Sequence, residues 1–256
     1  MYLRYIAISG SSEKGEFHAF AERLYSNSRF ICNYLSKEVR KLKLDTSPYN
    51  MLNFIPSLTE SSIHIWDSDV VNCKLCLSQL EIDRLNNMKR LEDRYEYYLS
   101  FLERGYRYVS ESIPIPVDSL LYLHDQFRAG GYRNEWLFKK KMIREYGLYV
   151  FLKCYFTTFD FHLDLEAYDL KQTRLIAKDT IFRSFPNELC FSKDFRSIRV
   201  EGSKLQILNF LGDSEMEVDL DALAQGLVTV DYIDGNFLNW EESSESTKKG
   251  IERITW

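Results

Sequence analysis

Between Gly212 and Trp256 the chain carries 11 acidic side chains against 3 basic ones, and from Leu205 to Thr247 it has neither Lys nor Arg. Within GDSEMEVDLD, Glu215, Glu217, Asp219 and Asp221 alternate with Met216, Val218 and Leu220. In a strand, that alternation would send all four carboxylates to one face, about 6.6–6.8 Å apart and spanning about 20 Å. Like charges so arrayed repel until water, salt or a basic partner screens them. The chemistry expected here is electrostatic capture of a basic protein, with Asp231 and Asp234 extending the same surface.

A second alternation points to different chemistry. Asp160, His162, Asp164 and Glu166 share one strand face, with Phe159, Phe161, Leu163 and Leu165 on the other. Asp-x-His-x-Asp could supply nitrogen and oxygen ligands to a divalent ion, with a carboxylate as general base. Asp169-Leu-Lys171 resembles the acid-x-Lys half-motif of metal-dependent restriction-type nucleases, over three residues only. A metal-dependent hydrolase or nuclease is therefore the alternative function. A half-exposed strand produces the same acid ladder without a metal, and no cofactor or metal is expected.

Three weaker patterns take structural readings. Cys73 and Cys76 form a C-x-x-C without a second close pair, and Ser78 behind them is the apparent helix cap, so both read as small apolar side chains. Ser9–Gly15 lies between a strand and a helix but matches no phosphate-loop pattern, and reads as a polar turn. Arg128, Arg133, Lys139, Lys140, Lys141 and Arg144 interleave with Tyr132, Trp136 and Phe138 as on a nucleic-acid surface, but the acidic balance of the chain argues against that use. His18, His64, His124 and His162 form no H-E-x-x-H motif, and no nucleophile elbow occurs.

The elements that would carry these residues follow from periodicity. Residues 2–9 predict a strand, Glu16–Tyr25 a short amphipathic helix and Phe30–Leu44 a second one, followed by a loop or edge over Asp45–Pro56. Ser61–Asp67 and Val71–Leu77 predict strands. Ser78 and Glu81 make a capping box, after which Leu85, Met88, Leu91, Tyr95, Tyr98, Leu102 and Val109 predict one long central helix. Ser112–Pro116 breaks it, Asp118 caps a short helix bearing Leu121, His124 and Phe127, and Asn134 caps another running to Gly147. Beyond Gly147 the period changes to two, through LYVFLKCYF, TFDFHLDLE, SIRVEG, LQILNFL, EMEVDLD and LVTVDYI.

The expected class is α+β: a mixed α/β part with the long helix over residues 1–147, an antiparallel β-rich part over 148–240 that could share its core, and a polar tail over 241–256. With 45% hydrophobic and 28% charged residues, the 256-residue chain has the composition of a globular protein, not of a disordered or collagen-like one. Five cysteines are too few and odd for a secreted disulfide scaffold, MYLRYIAISG lacks a signal-peptide core, and no apolar run reaches membrane-spanning length. These readings converge on a cytoplasmic, non-enzymatic binding protein of the immunity or antitoxin-inhibitor type. Its partner would be a basic protein such as a bacterial toxin or nuclease domain.

Overall fold

A computed structural model of the chain describes residues 1–188 and 195–233. Its fold is α+β, with five α-helices and twelve strands in three four-stranded sheets among the described residues. They divide into two compact units, 1–134 and the residues from Glu135 on. The expected tail, 241–256, lies outside the described residues.

In the first unit, β1 (Tyr5–Ile8), β2 (Met51–Ser57), β3 (Ser62–Trp66) and β4 (Val70–Cys76) form a sheet of order β1-β2-β4-β3. β2 pairs in parallel with both β1 and β4, while β3 is antiparallel to β4. The segment expected to be loop or edge is thus a central strand, despite Pro56. Ser9 N–H donates to Phe54 O, so alternate residues from Phe54 face β1. β1 stops opposite Phe54, so the missing Pro56 N–H points past its end and costs the ladder nothing.

Where two helices were expected, α1 (Glu16–Leu42) is continuous. Asn27 and Ser28 bridge the two apolar stripes because they fall on the same inner face, and both are buried. The helix ends at Lys43, whose left-handed backbone (φ 51°) returns its N–H to Val39 O. The expected long helix is instead two, α2 (Gln79–Asn86) and α3 (Leu91–Ser110). The capping box at Ser78 and Glu81 forms as the sequence implies. The break follows from the spacing: two successive steps of three residues swing Leu91 about 120° from Leu85, so no single straight helix keeps both on one face. Asn87 closes α2 by donating both its N–H and its side-chain amide to Asp83 O.

Helix α3 buries Leu99, Leu102, Tyr106 and Val109 completely. Gly105 is where it meets the sheet, because a Cβ there would stand 2.3 Å from the Phe54 ring, whose neighbour is Tyr106 at 5.4 Å. Helix α4 (Val117–Ala129) starts after the Pro-rich break, with Pro116 at its cap and Asp118 in its first turn. It turns Leu120, Leu123, His124 and Phe127 inward.

Beyond Glu135, the expected helix over 134–147 is a strand, β5 (Asn134–Ile143), followed by a single 3₁₀ turn at Arg144–Tyr146. Trp136 and Phe138 alternate with exposed Glu135, Leu137 and Lys139, a period of two that pairing with the next strand enforces. Asn134 caps no helix; its amide donates to Phe30 O and Asn33 Oδ1. The sheet continues through β6 (Leu148–Phe156), β7 (Phe161–Asp169) and β8 (Leu175–Ser184), in chain order. β8 was not anticipated. The third sheet, β9 (Ser197–Glu201), β10 (Lys204–Leu208), β11 (Ser214–Asp219) and β12 (Val230–Tyr232), is antiparallel throughout, with order β12-β11-β10-β9. A short helix, α5 (Leu220–Ala224), follows β11.

Candidate functional site

The third sheet has two chemically distinct faces. Leu205, Ile207, Met216 and Val218 are buried on one. On the other, Arg199, Gln206, Glu217 and Asp231 lie in one row straight across four strands, and Glu201, Lys204 and Asp219 form the next row. The first row is wired from its basic end: Arg199 Nε donates to Gln206 Oε1 (2.9 Å), and Gln206 Nε2 donates to Glu217 Oε1 (2.6 Å). Lys204 reaches Asp231 at 2.9 Å and Asp219 at 3.4 Å, and these two carboxylates, Asp231 first, raise its pKa. The rows therefore hold four carboxylates and two bases.

The expected row of four carboxylates on one strand face is shorter than the alternation implies. At Leu208 a bulge places both Ser214 and Glu215 against one residue of β10, and Glu215 leaves the register. Asp221 is on α5, exposed, not on the strand. Asp219 ends the strand and caps that helix, accepting from Ala222 N–H at 2.9 Å; this bond is the leading cause of its lowered pKa, with Lys204 adding to it. Glu217 and Asp219 keep the shared face, and Asp231 joins Glu217 as its direct cross-strand neighbour. Asp234 lies outside the described residues. The cross-strand position of Asp231 was not readable from spacing along the chain.

The second ladder, on β7, is engaged by bases from its neighbours. Glu166 accepts from Lys153 at 2.6 Å and Lys178 at 3.1 Å; burial alone would raise its pKa, but the two ammonium groups outweigh burial and hold it below the ordinary carboxylate range. Asp164 accepts from Thr180 Oγ1 at 2.7 Å. Asp160 accepts from Thr157 at 2.7 Å and pairs with Arg183 at 3.1 Å; here too the net shift is downward against burial, with His162 contributing. The His162 ring stacks on Tyr155 at 4.8 Å. Hydroxyls and bases thus engage Asp160, Asp164 and Glu166, and among the described residues no group of three or more His, Cys, Asp or Glu is arranged to hold an ion.

The remaining motifs resolve locally. Cys73 and Cys76 are three residues apart on β4 and point to opposite faces: Cys73 is buried, its thiol pushed up to about 12 by burial, while Cys76 is exposed. In the turn before α1, Glu13 accepts from Ser57 Oγ (2.7 Å) and Leu58 N–H (3.1 Å), so an acid already occupies donors that a phosphate would need. Arg128 is held by Glu96 and Asp125, and the Trp136 and Phe138 rings pack against Phe161 and Phe195 instead of forming an open stacking platform. Among the described residues, no helix is long and apolar enough to cross a membrane. No protein-family model, curated protein or solved structure matches the chain.

Proposed function

We propose that this is a non-enzymatic, cytoplasmic binding protein that neutralises a basic protein partner, in the manner of an immunity protein or antitoxin-type inhibitor. The observation that carries the reading is the outer face of the third sheet, where Glu217 stands directly opposite Asp231 and acids outnumber bases across four strands. Lys204 and Arg199 offset part of this charge, on Asp231 and Asp219 and on Glu201, and a cationic surface docked over the face would compensate the two negative charges that remain. Complementary charge of this kind acts chiefly on association rate and on rejection of wrong partners.

The test begins with capture of partners from a native-host lysate, elution by a salt gradient and identification by mass spectrometry. Association kinetics then compare the wild type with Glu217→Lys/Asp231→Lys. The on-rate should fall as salt rises, and the variant should associate at least about tenfold more slowly at low salt. Equal on-rates for the two proteins at low salt would refute the reading.

A further inference from the structure

The first unit holds a cavity of about 320 Å³ between α1, α2 and α3, remote in sequence from the acidic sheet. Two arginines line it, Arg23 from α1 and Arg94 from the first turn of α3. Each is half-buried and spends a donor on a neutral group: Arg23 Nη2 on Asn86 Oδ1 at 3.1 Å, and Arg94 Nε on Met88 O at 2.9 Å. Neither meets a carboxylate among the described residues, whereas Arg104, Arg107 and Arg128 of the same unit each hold one.

Tyr98, which is buried, lines the same cavity. Burial pushes its hydroxyl up to about 12, while Asn27, Arg94 and Arg23 pull against it. Asn27 also lines the cavity; it is only 4% exposed, and its Oδ1 is buried with no hydrogen-bond partner. A buried, unpaired amide oxygen is costly, and so are two half-desolvated like charges facing one space. Asn86 adds a second amide, and Phe20, Leu24 and Leu85 supply the apolar part of a lining that is mostly polar.

We propose that this cavity binds a small organic phosphate. A phosphomonoester dianion balances the two arginine charges, and its oxygens suit the forked donors that the guanidinium groups have left over. A simple carboxylate would leave one arginine uncompensated.

The test uses the full chain and three probes: glycerol 3-phosphate, inorganic phosphate and glycerol. In wild-type protein, glycerol 3-phosphate should shift the Arg23 and Arg94 Nε–H resonances with a Kd of about 1 mM or tighter, while glycerol leaves them unmoved. Arg23→Gln/Arg94→Gln should weaken binding at least about tenfold, and the exposed control Arg84→Gln should not. Inorganic phosphate should shift the same two resonances more weakly, since it has no organic part to set against Phe20, Leu24 and Leu85. If the double variant fails to fold, the wild-type titration decides. No movement of either arginine resonance by about 10 mM glycerol 3-phosphate, or equal movement by glycerol, would overturn the proposal.

Discussion

His124 is fully buried on α4, with Nε2 3.4 Å from the Tyr106 hydroxyl and Nδ1 without a hydrogen-bond partner. Burial, reinforced by Arg128, lowers its pKa from 6.5 to about 4. The folded protein therefore holds a neutral imidazole over a range where the unfolded chain is protonated. Stability contributed this way is intact above pH 6.5 and drains as pH falls toward 4, because protons bind preferentially to the unfolded state. The gap between the two pKa values corresponds to about 3 kcal/mol, with a limiting slope of about 1.4 kcal/mol per pH unit. Urea denaturation at intervals from pH 7 to pH 5 would compare the wild type with Tyr106→Phe/His124→Leu, which removes both polar partners together and so avoids stranding the Tyr106 hydroxyl. The double variant should lose most of the wild-type slope in that window, whatever its offset at pH 7. Carboxylates such as Glu96, held low by Arg128, titrate below the window and do not confuse the comparison. Parallel slopes for the two proteins would refute the argument.

Other expectations rest on packing and charge. Leu102→Ala should cost about 2–5 kcal/mol in chemical denaturation, since the side chain is fully buried on α3; a loss under about 0.5 kcal/mol would mean that the stripe is not core. Gly105→Ala should destabilise by about 1–2 kcal/mol despite its better helix propensity, because the buried Phe54 ring blocks the new Cβ, and Phe54→Leu in the same chain should recover part of the loss. Glu166→Gln should lower stability at pH 7 by about 1–2 kcal/mol, discounted because Lys153 and Lys178 are partly solvated. As the folded pKa of Glu166 lies below its unfolded value, that difference should be full above pH 4.5 and shrink as pH falls below it through the folded pKa, and a difference that stays constant from pH 7 down to the acid limit of folding would contradict the pairing.

What the sequence made legible is what local chemistry alone decides. The capping box at Ser78, the break at Ser112–Pro116 and the alternating strands after Gly147 all act within a few residues, and all appear where the pattern places them. The errors occurred where tertiary context chose between two tolerable patterns. NEWLFKKKMI fits a helix by spacing, but strand pairing makes it β5. Ser26–Arg29 looks like an interruption, until the inner face of α1 accommodates buried Asn27 and Ser28. The acidic face was visible as alternation, yet the bulge at Glu215 and the start of α5 shortened it, and Asp231 entered by a register that no spacing along the chain encodes. The paired arginines of the cavity, 71 positions apart, left no trace in any motif.

The parallel pairing of β1 with β2 has a consequence for synthesis. Forty-two residues separate Ile8 from Met51, so β1 leaves the ribosome with no strand to join. At about 5–20 residues per second, the gap lasts roughly two to eight seconds. A helix forms in about a microsecond, and α1 packs directly on β1. Limited proteolysis of chains stalled beyond residue 42 should find β1 protected when α1 is intact and cleaved when a proline is placed at Ile31. On the nascent chain, α1 is then the chaperone of its own first strand, covering Ile6 and Ile8 until the partner that replaces solvent at the strand edge has been made.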